Sequence, residues 1–140
     1  MLHRIDDNIR LDGYEVLRRK DITAVETKFG KKEFLERAAE LKHFAPRKPE
    51  GVDLSSRPGL LTTAQEHFPL LVIHRELVAP SECEIGRLKM SSDGAYVLNW
   101  ISPEATWEPD ARRFQFEDVT RVGFGAEYEM TLALVAGAAV

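Results

Sequence analysis

Glu82-Cys83-Glu84-Ile85-Gly86-Arg87-Leu88-Lys89-Met90-Ser91-Ser92-Asp93-Gly94-Ala95-Tyr96-Val97-Leu98-Asn99-Trp100-Ile101 is the stretch on which the fold turns. Cys83, Ile85 and Leu88 lead into a polar turn, Ser91 to Gly94, and Tyr96, Val97, Leu98, Trp100 and Ile101 leave it, so two strands are expected. Upstream, Leu70-Leu71-Val72-Ile73 is a continuous apolar run with two β-branched residues, typical of a buried strand. A short helix over Leu60–Phe68, stopped by Pro69, precedes it. Downstream, Phe114 and Phe116 alternate with Gln115 and Glu117, a strand with one wet face. Asp118-Val119-Thr120-Arg121-Val122 follows, and Gly123-Phe124-Gly125 reads as a sharp passage into a last helix. In that helix, about Glu127 to Ala136, Tyr128, Leu132 and Val135 recur at helical spacing. The order is one helix and then five strands, over about 70–77, 82–90, 96–102, 113–117 and 119–124.

The first half is organised differently. Ile5, Ile9 and Leu11 lead to Asp12-Gly13, a hairpin signal, with Tyr14, Val16 and Leu17 beyond it. Asp21-Ile22-Thr23-Ala24-Val25 is a second β-like stretch. Phe34, Leu35, Ala38 and Leu41 then form the apolar stripe of an amphipathic helix over about Lys31 to Lys42. Residues 45–59 concentrate Pro46, Pro49, Gly51, Ser55, Ser56, Pro58 and Gly59, where no helix is expected to continue. The division is an N-terminal hairpin plus helix at 1–44, a linker at 45–59 and a main unit at 60–140 ending in the last helix, expected to form one compact unit. Residues 21–25 and 118–122 share one pattern (Asp, β-branched, Thr, any, Val), as an internal duplication would leave.

The element order of residues 60–124, and the run from Gly86-Arg87-Leu88 to Asp93-Gly94-Ala95-Tyr96-Val97-Leu98, resemble the Sm-like barrel and its first motif. The resemblance implies a mainly β (α+β) protein: a helix on a bent five-stranded barrel, here with an N-terminal β-β-α extension. A glycine suits such a strand because backbones approach closely at the bend. The chain is also similar to a family of small bacterial proteins without an assigned activity, through its Ile101-Ser102-Pro103 segment and aromatic loop. The RNA pocket of the Sm family is not implied at any residue. Ala95, Tyr96 and Val97 stand where its asparagine is expected, Asn99 is out of register, and Phe116-Glu117-Asp118-Val119 puts acids where phosphates would approach.

Charge points the same way. The 140 residues hold 19 Lys and Arg against 23 Asp and Glu, a net charge of −4. Residues 1–70 carry 13 basic and 12 acidic side chains, and residues 71–140 carry 6 and 11. Phosphate-driven binding needs concentrated positive charge, so nucleic acid is an unlikely partner by this count. The basic groups that would serve a weak Sm-like RNA contact are Arg18, Arg19 and Lys20, or Lys31 and Lys32. No stretch is apolar enough to span a membrane, and Met1–Arg10, with Arg4, Asp6, Asp7 and Arg10, is no secretory signal, so a cytoplasmic location is expected.

Catalytic signals are sparse. His74 and Glu76 fall on one face of a strand, where a carboxylate could orient an imidazole. Cys83 lies between Glu82 and Glu84, which disfavour a thiolate. A small enzyme built on His74, Glu76 and Cys83 is therefore the remote alternative. No nucleophile elbow, phosphate loop or metal-ligand spacing occurs, so no catalytic residue, cofactor or metal is assigned. Trp100 is expected in the core. Trp107, in a proline-bracketed loop, and the last helix's Tyr128, Leu132 and Val135 are the expected interface. The leading expectation is a non-catalytic interaction or assembly module. The N-terminal hairpin would cover a barrel edge, leaving a homodimer instead of a ring of six or seven.

Overall fold

The computed structural model describes residues 1–26, 31–90 and 94–138, with the side chains of Lys31 and Met90 outside the description. In these the chain runs β1 (Leu2–Ile5), β2 (Leu11–Leu17), α1 (Lys31–Leu41), α2 (Arg57–His67), β3 (Leu71–Arg75), β4 (Ala79–Met90), β5 (Ala95–Trp100), β6 (Arg112–Gln115), β7 (Arg121–Phe124) and α3 (Glu127–Ala136). All strands join one antiparallel sheet in the order β1-β2-β7-β3-β4-β5-β6. The protein is thus mainly β with three helices. Its sheet has seven strands, not five, and it is open, with β1 and β6 as its edges.

Gly86 is the pivot of this sheet. β4 pairs with β3 as far as Gly86, opposite Leu71, and from Gly86 onward it pairs with β5. A Cβ at Gly86 would strike the Asn99 carbonyl and lie 2.8 Å from Trp100 Cα, so the β4–β5 approach there leaves no room for a side chain. Beyond the pivot β4 has lost β3, and α2 supplies a substitute. Gln65 Nε2 donates to Leu88 O at 2.9 Å, and Leu88 N donates to Gln65 Oε1. One side-chain amide therefore stands in for the missing strand, as buried backbone groups require.

α2 begins one turn earlier than expected. Ser56 caps it, its Oγ accepting from Gly59 N at 3.1 Å, and Pro58 sits in the first turn, where its missing N–H is no loss. Leu60, Leu61 and Ala64 pack under the sheet against Leu71, Ile73 and Phe124. The preceding segment is not all solvated: Val52 is buried in the same core, and Asp53 N donates to Thr63 Oγ1 at 2.9 Å. A second cluster, Leu70, Ile101 and Leu132 with Trp107 against it, seats α3.

Several local expectations are corrected. Asp12-Gly13 lies inside β2, and the hairpin turn is Asp6–Arg10, closed by Asp6 N to Arg10 O at 2.9 Å. The Asp-Gly pair serves α3 instead. Asp12 Oδ1 accepts from Glu127 N at 2.8 Å, capping a helix whose own cap residue, Ala126, offers no side-chain bond. Gly13 has φ of 67°, and a Cβ there would lie 2.5 Å from Ala126 N. Residues 22–26 form no strand and follow a 3-10 turn, Arg19–Asp21. Phe116 ends up in a 3-10 turn, Phe116–Asp118, not in β6. Phe34 and Leu41, on the stripe of α1, are exposed. Trp100 is only partly buried, its ring under the Arg112 guanidinium at 4.1 Å. The Ser91–Asp93 turn and Lys28 lie outside the described residues.

Candidate functional site

The end of β2, the turn after it and the start of α2 face each other across a groove of about 490 Å³. Its apolar floor includes Val16, Leu60, Val119 and Val122, and its charged lining residues are Arg18, Arg19, Lys20 and Arg57. All four are cations, in a chain of net charge −4. Topology assembles them. β2 pairs with β7, so the turn Arg19–Asp21 lands beside Val119 and Thr120, and α2 brings Arg57 to Val119.

Two of the guanidiniums are anchored by one nitrogen each. Arg18 Nε pairs with Asp21 Oδ2, while its backbone N reaches Thr120 O at 3.4 Å. Arg18 Nη2 is buried and has no partner. Arg57 Nε donates to Val119 O at 3.2 Å. Fixing Nε orients the remaining fork of each guanidinium without using it. Among the described residues lining the groove, none is aromatic. Of the other basic candidates, Lys32 sits on α1 and pairs with Glu36 at 3.6 Å, and the Lys31 side chain is outside the description.

His74, Glu76 and Cys83 come from neighbouring positions, but Arg121 organises them. It reaches Glu15 at 2.8 Å, Glu76 at 2.9 Å and His74 Nδ1 at 3.2 Å, and Thr120 Oγ1 lies 2.9 Å from Glu76 Oε2. Burial, and then the Arg121 charge, push the His74 imidazole below its usual range, against the opposing pull of Glu76 and Glu15. A neutral His74 therefore accepts from Arg121. Cys83 is opposite His74 in the β3–β4 ladder and is exposed, and it makes no hydrogen bond to His74 among the described residues. The arrangement is an ion network across β2, β7 and β3, with the glutamates committed to the arginine. The signal for it, Glu15 and Arg121 on strands 106 residues apart, has no local trace in the sequence.

Inside the core, Arg75 Nη2 bonds Glu84 Oε1 at 2.7 Å, and its guanidinium stands 4.2 Å from the Phe114 ring centroid. Glu84 is buried, and burial together with Glu84 pushes the Tyr96 phenol well above its usual range. Both side chains of this pair are largely enclosed by the fold. Removing one partner would strand the other charge.

The expected interface residues separate. Leu132 is 6% exposed and belongs to the second core cluster with Leu70 and Ile101. Trp107 leans on that cluster, and its Nε1 donates to Gly137 O at 3.4 Å, tying the loop to the end of α3. Tyr128 and Val135 are exposed, and so is Leu134, at 83%. Tyr128, Thr131 and Val135 line a shallow cleft against Pro103, Glu104 and Ala105. Periodicity identifies α3, but Leu134, its most exposed leucine, falls off the apolar stripe of Tyr128, Leu132 and Val135.

Among the described residues no group of three His, Cys, Asp or Glu side chains could hold a metal ion, and no helix is long and apolar enough to cross a membrane. No family model, curated protein or solved structure matches the chain.

Proposed function

We propose that the protein is a non-catalytic interaction module on an Sm-like bent sheet, acting as a cytoplasmic homodimer through the outer face of α3. The scaffold reading is supported by α2 followed by β3 to β7, and by Gly86, where β4 passes from β3 to β5 with no room for a side chain. The limit on assembly is supported by β2, which pairs along β7 and so occupies an edge of that five-strand unit within the same chain. An edge paired internally offers no free amides to a ring neighbour.

The observation that carries the dimer is the exposed apolar surface on the later turns of α3. From Met130 to the end of the chain there is no charged residue, and Leu134 and Val135 stand in solvent with Tyr128. Burying this surface between two copies removes apolar area from water. Light scattering should give the mass of two chains, and Leu134→Glu should give one. A mass of six or seven chains, or a dimer untouched by Leu134→Glu, overturns the proposal.

RNA binding is the weaker reading. It is favoured only by the gathering of Arg18, Arg19 and Lys20 beside Arg57. Among the described residues the groove has no aromatic ring for a base to stack on, and the chain as a whole is acidic. Anisotropy titration with uridine-rich RNA should show no sub-micromolar binding at about 0.15 M salt.

A further inference from the structure

From the basic groove we infer a second binding site, independent of the α3 face, for a small phosphomonoester with an aliphatic body. Three observations converge on that chemistry. The volume, about 490 Å³, is that of a small-molecule site. The floor is aliphatic, from Val16, Leu60, Val119 and Val122, and the charged lining is wholly cationic. The donors are also arranged before any ligand arrives. Arg18 and Arg57 are each held at Nε, by Asp21 and by the Val119 carbonyl.

Arg18 is the most specific of these. Its Nη2 is enclosed yet unpaired, so one charged donor in the groove wall lacks an acceptor. A phosphate in the groove meets the Arg18 charge and has oxygens for Arg57 and Lys20. The turn Arg19–Asp21 contributes Lys20 as a point charge on a flexible stem, suited to the rim. The acids nearest this wall are already engaged: Asp21 on Arg18, and Asp53 on Ser55 N at 2.8 Å. Ser56, at the start of α2, adds the positive end of that helix to the same wall. A phosphate is favoured over a carboxylate because four cationic side chains line the groove, and a phosphate brings more negative charge and more acceptor oxygens. A nucleobase is disfavoured by the aliphatic walls.

The test uses the full chain and three probes: inorganic phosphate, hexyl phosphate and hexanol. Amide resonances of residues 16–20, 57–60 and 119–122 should shift with hexyl phosphate, with an affinity at least about tenfold above either probe alone, because head and body contribute together. Arg18→Gln should weaken binding about tenfold or more. Because Arg18 also helps pack the turn, Lys20→Gln is the second variant: Lys20 is exposed and should lower affinity severalfold with an unchanged fold. Leu134→Glu should leave binding intact, which separates this site from the dimer. Vesicles containing phosphatidic acid identify the source: binding that hexyl phosphate displaces points to a lipid headgroup, and no vesicle binding points to a soluble ester. No shift in these residues at about 10 mM hexyl phosphate, where a weak millimolar site would already be filled, overturns the inference. Equal affinity in Lys20→Gln and Arg18→Gln, or tighter binding of uridine-rich RNA at the same residues, overturns it as well.

Discussion

Residues 21–25 and 118–122 carry the same five-position pattern, and each begins where a 3-10 turn ends, Arg19–Asp21 and Phe116–Asp118. Their fates differ completely. In the later copy Val119, Thr120 and Val122 are buried, and the chain continues into β7, with Val122 opposite Val16 on one side and Ile73 on the other. In the earlier copy Ile22 is 47% and Val25 85% exposed, and no ladder forms. β-branched residues fit a pleated, half-buried surface more than they create one. What separates the copies is the presence of two waiting strands.

The largest test of this contrast removes the contact that lets the early half reach the later one. Gly13→Ala places a methyl against the Ala126 backbone at a φ of 67°, and should cost about 3 kcal/mol or more by strain and clash. Urea denaturation reads the loss, and a change below about 1 kcal/mol would mean that β2 and α3 are not in close contact. Next, Val122→Ala should cost about 2 kcal/mol through a cavity in the core, whereas Val25→Ala should stay within about 0.5 kcal/mol. Equal effects would erase the difference between the two copies.

A smaller effect tests the helix that follows the later copy. Glu129 on α3 is buried, its Oε2 has no partner, and burial holds its carboxyl above the usual 4.5, with Asp12 adding to the rise. A raised acid favours the folded state below 4.5 and forfeits that advantage as pH climbs through its folded value. Glu129→Gln should therefore be more stable than the parent by about 1 kcal/mol at pH 7, with the gap closing below pH 4.5. Thermal melts across that range check it.

The smallest effect concerns the one variable position of the pattern, Ala24 in the early copy and Arg121 in the late one. Burial, and then the Arg121 charge, lower the His74 imidazole below 6.5. A depressed base favours folding above 6.5 and loses that contribution as pH falls through the folded value. NMR titration should find His74 neutral at pH 6.5, and Arg121→Gln should move its midpoint upward, with less than about 1 kcal/mol of stability at stake because the network is partly solvated.

The sequence by itself determined the parts whose causes are local. α3 was legible from its spacing, the β4–β5 pair from alternation, and the glycine at the bend from the need for an empty side-chain position at Gly86. Basic residues at 18–20 were visible too, but only as a run with acids nearby. Tertiary structure decided the rest. Asp12-Gly13 carries the signature of a turn, yet its role is set by α3, 115 residues away from Asp12 along the chain. Gln65 looks like an ordinary helix residue until β4 outruns β3 and needs a partner. Arg57 joins Arg18 only because β2 pairs with β7 and α2 crosses beneath, so the groove exists in no single segment. Local propensity is a weak term of short range, and hydrogen-bond pairing and burial between distant strands outweigh it.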